Sequence, residues 1–308
     1  MHAHANRWTA ADLPDQDGRI VVITGASSGV GFETARLFAA RRAHVVLACR
    51  DHGRARRAMD RIAAEVPGAR ISELSLDLAS LASVRAAAAE LGSRHPRIDV
   101  LINNAGVMWA PKGTTADGFE THFGTNHVGH FTFTGLVLDL LLPVAGARVV
   151  VVTSPAHRSG RLDVDDQRYR PVTAYSRSKL ANMLFALTLQ DKLAEAGAGT
   201  VAVATHPGGA RTELNRTMPL PFRGKSWGLA RPITHPAAIG ALSLARAAAD
   251  PAIAGGSYVG PGGWREFTGY PALLTPAEQA RDPELQQHLW RESERLTGIS
   301  YHFPVAAA

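Results

Sequence analysis

Short, unbroken apolar runs recur along this chain at residues 20–24, 45–48, 100–103, 149–153 and 201–205. A strand with one wet face alternates apolar and polar side chains, so a run that is apolar at every position must be covered on both faces. Two weaker runs, an alternating one at 71–76 and a short one at 257–259, bring the expected strands to about seven. Between them lie stretches with helical spacing at 29–42, 54–66, 81–94, 117–142, 174–196 and 236–249. Buried strands joined by helices predict an α/β fold of the Rossmann type, a doubly wound parallel sheet with helices on both faces. Neither an internal repeat nor a linker-like shift in composition interrupts the alternation. One dinucleotide-binding catalytic domain is expected over 18–263, after an N-terminal tail at 1–17. A C-terminal extension, 264–308, should pack near the substrate side and carry a helix at 276–296.

Two segments break the rhythm: 155–172 is polar, and 209–235 is rich in Pro, Gly and Arg. Both follow strand C-termini, the edge at which open α/β sheets bind ligands. Composition removes other classes. The single cysteine, Cys49, excludes a disulfide framework and suits a reducing cytoplasm. Residues 1–8 lack the apolar core of a signal peptide, and no apolar run approaches the ~20 residues of a membrane span. The net charge of +6 comes from scattered arginines with few aromatics, which points to no nucleic acid. An anionic phosphorylated cofactor would profit from the same positive field.

Thr24-Gly25-Ala26-Ser27-Ser28-Gly29-Val30-Gly31 follows the first strand and opens the first helix. Gly25 suits a tight turn, Gly29 lets the backbone approach a pyrophosphate, and Gly31 lets helix and strand pack closely. Free N–H groups around Ser27, Ser28 and Val30 then face the anion at a helix N-terminus. At the end of the second strand an acidic residue would bind a ribose and repel a 2′-phosphate. Neutral Cys49 stands there, beside Arg50, whose planar guanidinium pairs with phosphate. That predicts NADP(H) over NAD(H), unless Arg50 merely pairs with Asp51.

Tyr175 and Lys179 stand one helical turn apart, so phenol and ammonium share a face. An ordinary Tyr titrates near pH ~10, and a nearby cation pulls that value toward the working range. Lysine occurs only at 112, 179, 192 and 225 in a chain with 33 basic residues, so its place after Tyr175 is not a product of composition.

Taken together, Thr24-Gly25-x-x-x-Gly29-x-Gly31, Asn103-Asn104-Ala105-Gly106, Ser154 and Tyr175-x-x-x-Lys179 resemble the short-chain dehydrogenase/reductase family. Asp77-Leu78 and His206-Pro207-Gly208 match it as well, and Thr125 to Phe131 resembles its retinol-dehydrogenase-like branch. The resemblance implies that Tyr175 exchanges a proton with the substrate oxygen. Lys179 would bind the nicotinamide ribose and acidify Tyr175. Ser154 would hold the carbonyl oxygen, and Asn126 a water that links Lys179 to solvent. It further implies that Asn103, Ala105 and Gly106 line the adenosine-side ribose, and that Asp77 with Leu78 reaches the adenine. Pro207, Gly208 and Thr212 would contact the nicotinamide amide and the pyrophosphate. The implied activity interconverts an alcohol with a ketone or aldehyde using NADP(H). Alternatives are a cofactor-binding regulator without turnover and a reductase of a C=C bond.

Departures from the family pattern are Arg42 in place of a helix-ending Gly, Thr153-Ser154-Pro155 in place of paired serines, and the 21 residues from Ser154 to Tyr175, whose inserted segment 155–172 should border the substrate pocket. The second leaves Ser154 as the working hydroxyl unless Thr153 takes that part. Met108, Trp109, Met218, Leu220, Phe222 and Trp227 suggest an apolar substrate. His122, His127 and His130 have helical spacing, yet no Cys or carboxylate cluster completes a metal site. Asp163, Asp165 and Asp166 read as a solvated turn. The Leu136–Leu142 patch suits core or a subunit contact, and the resemblance allows monomer or homo-oligomer.

Overall fold

The structure, a computed structural model, describes residues 7–162, 169–211 and 234–303. The strands of the main sheet are β1 (Ile20–Thr24), β2 (His44–Cys49), β3 (Arg70–Ser75), β4 (Val100–Asn103), β5 (Arg148–Val152), β6 (Val201–Thr205), β9 (Tyr258–Pro261) and β10 (Pro271–Leu274). A two-stranded sheet, β7 (Ala210–Arg211) with β8 (His235–Pro236), lies between β6 and β9 in the chain. The helices are α1 (Gly29–Ala40), α2 (His52–Glu65), α3 (Leu81–Arg94), α4 (Gly129–Leu141), α5 (Pro171–Glu195), α6 (Ala237–Ala249) and α7 (Pro283–Thr297).

The spatial order is β10-β9-β6-β5-β4-β1-β2-β3, parallel from β3 to β9, with β10 antiparallel at the edge. The winding order of the strands reverses between β1 and β4, which opens a crevice at their C-terminal ends. The period of two distributes the apolar runs over two cores. Val22, Leu101, Val149 and Val151 face α3, α4, α5 and α7 through Phe131, Phe133 and Leu184. Val21, Ile23, Ile102 and Val150 face α1 and α6 through Phe32, Phe38 and Leu244. Covered on both faces, these strands have no use for a polar alternate.

Two expectations change, and one is sharpened. Among the described residues the main sheet has eight strands where about seven were expected: β10 is short, begins with Pro271 and pairs on one side only, so it carries a weak signal. The helix expected at 117–142 begins at Thr121, where the Glu120 carboxylate accepts from the N–H groups of His122 and Phe123. It passes through a π turn at Gly124–Val128 before α4. The tail helix starts at Pro283, set by Asp282 as N-cap and Pro at the first position, and ends at Gly298 with φ 65°. Within the segment expected as an N-terminal tail, Trp8 and Leu13 are buried and Gln16 N–H bonds Arg41 O. Arg42 adopts φ 71° after α1, the conformation a Gly would take freely, and its guanidinium pairs with Asp15. The Leu136–Leu142 patch belongs to the core: Val137 and Leu141 are buried, and Leu136, Leu140 and Leu142 pack against them. Among the described residues no helix is long and apolar enough to cross a membrane.

Candidate active site

At the C-terminal end of β1, Gly25 and Gly29 take left-handed φ values of 67° and 59°. A Cβ on Gly25 would lie 2.9 Å from Ala105 Cα, and one on Gly31 would lie 2.5 Å from Asn104 Nδ2 and 2.6 Å from Gly25 O. The glycines therefore let the β1 turn and the β4 turn interlock. Thr24 locks the junction, since its Oγ1 accepts from the N–H groups of Asn104 and Ala105 at 2.9 Å each. Asn104 Nδ2 returns a bond to Thr24 O. Ser28 gives α1 no side-chain cap, so the first N–H groups of this helix stay available to an anion.

His130 continues the lock. Its Nδ1 stands 2.9 Å from Asn126 O, which can only accept, so the neutral ring carries its proton on Nδ1. Nε2 then accepts the Thr24 hydroxyl at 2.9 Å. Burial pushes His130 down to about 4, so it stays neutral. Asn126, in the π turn, holds the β4 turn from its other side: Oδ1 accepts from Val107 N–H at 2.7 Å, and Nδ2 donates to Val107 O and Ser178 Oγ. A point beside Gly106 lies 3.1 Å from Asn126 Oδ1 and 3.6 Å from Lys179 Nζ. Gly106, Asn126 and Lys179 thus crowd one spot, where the missing side chain leaves room.

Ser154 follows β5, and Tyr175 and Lys179 stand on α5 across from it. The Ser154 hydroxyl lies close enough to the Tyr175 phenol to favour its anion. The alternative hydroxyl is removed, because Thr153 Oγ1 donates to Lys179 O at 2.7 Å, inside the protein. Lys179 is buried; its Nζ donates to Val152 O at 3.1 Å and lies 5.7 Å from the Tyr175 ring centroid. Burial pushes Lys179 down to about 8. Burial also raises Tyr175, with the Ser154 hydroxyl pulling the other way. Desolvation of the phenolate is thus the largest influence on Tyr175 in the protein alone.

The remaining candidates divide. Arg50 is exposed, and Asp51 instead caps α2 by accepting from Arg54 N–H at 2.8 Å. Arg54, which the sequence reading missed, extends Nη2 to Ser28 Oγ at 3.3 Å; its only signal is one helical turn of separation from Arg50. Cys49 is buried under the glycine loop beside Ala26 and Ser27, so no acidic group ends β2. This cradle of left-handed glycines, an uncapped helix and two arginines fits an anionic nucleotide. Asp77 accepts from Ala79 N–H and is half-buried, whereas Leu78 is buried under Gly129. Ala105 is half-buried. The Asn103 side chain, however, is fully buried and donates to Thr134 Oγ1, turned from the groove; Asn104 is the asparagine that meets the glycine loop. Pro207 and Gly208 follow β6, with Gly208 at φ 71°. Thr212, Met218, Leu220, Phe222, Trp227 and the three aspartates at 163, 165 and 166 lie outside the described residues.

Each candidate metal histidine has a partner of its own. His122 Nδ1 meets Glu120 and Tyr169, and His127 Nε2 meets Ser293 on α7. Among the described residues no cluster of His, Cys, Asp and Glu could hold a metal ion.

The family described as short chain dehydrogenase matches residues 19–220. Retinol dehydrogenase 13 of Homo sapiens is 39% identical over 302 residues, covering 92% of this chain and 85% of that protein. An uncharacterized protein from Mycobacterium Paratuberculosis superposes with a TM-score of 0.79 at 38% identity, over 97% of this chain and 100% of the other. The Pseudomonas aeruginosa RhlG/NADP active-site complex superposes with a TM-score of 0.64 at 25% identity, over 79% of this chain and 94% of that one. With the glycine turn, the Ser154–Tyr175 pair and Lys179 converging at the crevice, the chain belongs to the short-chain dehydrogenase/reductase family, in its retinol-dehydrogenase-like branch, and is an oxidoreductase.

Proposed function

We propose that this protein is an NADP(H)-dependent oxidoreductase that interconverts an apolar alcohol with its ketone or aldehyde, with Tyr175 as proton donor and acceptor. The observation that carries the proposal is the convergence of the Ser154 hydroxyl, the Tyr175 phenol and the buried Lys179 amine, 5.7 Å from the phenol ring, beside the Gly106 turn. The bound nicotinamide nucleotide supplies or accepts the hydride. Residues Gly25 to Gly31, with Gly106, Pro207 and Gly208, would hold it. Arg50 and Arg54 would select the 2′-phosphate, in keeping with the absence of an acid at the end of β2 and with the NADP complex of the RhlG relative. Ser154 orients the substrate oxygen and supports the charge that develops on it. Tyr175 gives that oxygen a proton in reduction and takes it back in oxidation. Lys179 restores the phenol, with Asn126 Oδ1, which keeps a second lone pair, holding a water at the far end of the relay.

The raised Tyr175 favours the protonated phenol, which suits carbonyl reduction. Tyr175→Phe should lower kcat by about 10²–10⁴-fold while leaving NADPH affinity, read by fluorescence titration, within a few fold. Substantial turnover by this variant on any carbonyl that the wild type reduces refutes the mechanism.

A further inference from the structure

A second polar cluster lies beside the serine, at the tip of the β9–β10 hairpin. Arg265 and Glu266, in a short turn at Trp264–Glu266, both take left-handed φ, 47° and 63°. For residues with a Cβ this conformation is strained. Such strain persists only where the surroundings enforce it, and it gathers at functional sites. Here it turns the Glu266 carboxylate inward. Its Oε1 accepts from Arg158 Nη2 at 2.7 Å, and its Oε2 is buried without a hydrogen bond, 3.8 Å from His206 Nε2. His206 is fully buried, and its Nδ1 accepts from Gly208 N–H at 3.1 Å. A neutral ring that accepts at Nδ1 must carry its proton on Nε2, which also lacks a hydrogen bond and has the Glu266 carboxylate as its charged neighbour at 3.8 Å. The buried Tyr258 hydroxyl completes the group, again without a partner.

Both ends of this chain of contacts reach the site. Arg158 follows His157, whose Nδ1 donates to Ser154 O at 2.7 Å and whose Nε2 accepts from Ala277 N–H. Gln279 Nε2 clamps the same turn through the carbonyls of His157, Arg158 and Gly160. At the other end Phe267 O accepts from Gly209 N–H at 2.8 Å, and a Cβ on Gly208 would lie 2.6 Å from that oxygen. The hairpin tip is thus wedged between the turn after β5 and the turn after β6.

We propose that Glu266 is a positioning residue for the reaction: its carboxylate holds His206 in the Nε2–H form, so that Nδ1 fixes the Gly208 backbone while Arg158 fixes the Ser154 turn. The assignment of those two turns to substrate oxygen and nicotinamide rests on the function proposed above. The carboxylate offers two acceptors, one to Arg158 and one toward His206. The isosteric amide of Glu266→Gln offers one. With Arg158 on the amide oxygen, the NH2 faces His206 Nε2 and drives the ring to its Nδ1–H form, and Gly208 N–H loses its acceptor.

The test is Glu266→Gln in the full chain, with the His206 tautomer read from its 15N and 13C chemical shifts and thermal unfolding measured alongside. The wild type should show a bare Nδ1, and the variant a shift toward Nδ1–H. The KM for NADPH should rise and kcat fall, together costing about 10- to 100-fold in kcat/KM, with Tm little changed. An unchanged tautomer overturns the proposal, and so does a kinetic loss that tracks a fallen Tm. The tautomer measurement needs no turnover, so a wild type that reduces no carbonyl would sink the functional reading and leave the brace still under test.

Discussion

Lys179→Met isolates the energetic burden of the buried amine. Lys179 is 3% exposed and held at about 8, against an ordinary 10.5, chiefly by desolvation. At 1.36 kcal/mol per pH unit, keeping this amine protonated at pH 7 costs the folded state roughly 3 kcal/mol. Methionine, of similar length, removes that cost and forfeits one hydrogen bond to Val152 O, worth about 1–2 kcal/mol; Asn182 Nδ2 still satisfies that carbonyl at 3.0 Å. The variant should therefore be more stable than wild type by about 1–2 kcal/mol at pH 7, or a few degrees in Tm. The sign with pH follows from proton counting. Between about 8 and 10.5 the unfolded wild type binds the proton that the folded state has lost, so wild-type stability rises with pH through that window. The variant lacks this slope, and its advantage should vanish by the upper end. Urea unfolding of the cofactor-free proteins from pH 7 to 10.5 measures it. Parallel pH profiles, or a variant less stable at pH 7, would refute the view that Lys179 sits there at the expense of stability.

Ser154→Ala should cut kcat by about 10²–10³-fold. Thr153→Val, which loses only the bond to Lys179 O, should instead lower stability by about 1 kcal/mol and keep most of kcat. Gly31→Ala should unfold the cofactor crevice or destabilise the protein by about 1–3 kcal/mol, because its methyl meets Asn104 and the Gly25 carbonyl; a wild-type NADPH affinity and Tm would contradict the interlocked turns. Arg50→Ala combined with Arg54→Ala should raise the KM for NADPH by about tenfold or more and leave that for NADH nearly unchanged, as loss of a charge-assisted phosphate contact predicts; equal effects on both cofactors would remove the 2′-phosphate assignment.

Much of this molecule was legible along the chain because its signals are local. A parallel strand covered on both faces must be apolar throughout, so β1, β4 and β6 could be bounded to the residue. A left-handed turn before a helix demands glycine, and one helical turn joins Tyr175 to Lys179 whatever surrounds them. Tertiary structure alone decided matters that depend on what a side chain meets across the fold. It turned Thr153 inward and left the Ser154 hydroxyl beside the phenol, turned Asn103 into the core and Asn104 to the glycine loop, and added β10 at an edge where pairing needs no apolar run. It also set the cost of burial on Tyr175 and Lys179, since burial is a property of the assembled protein that spacing alone does not give.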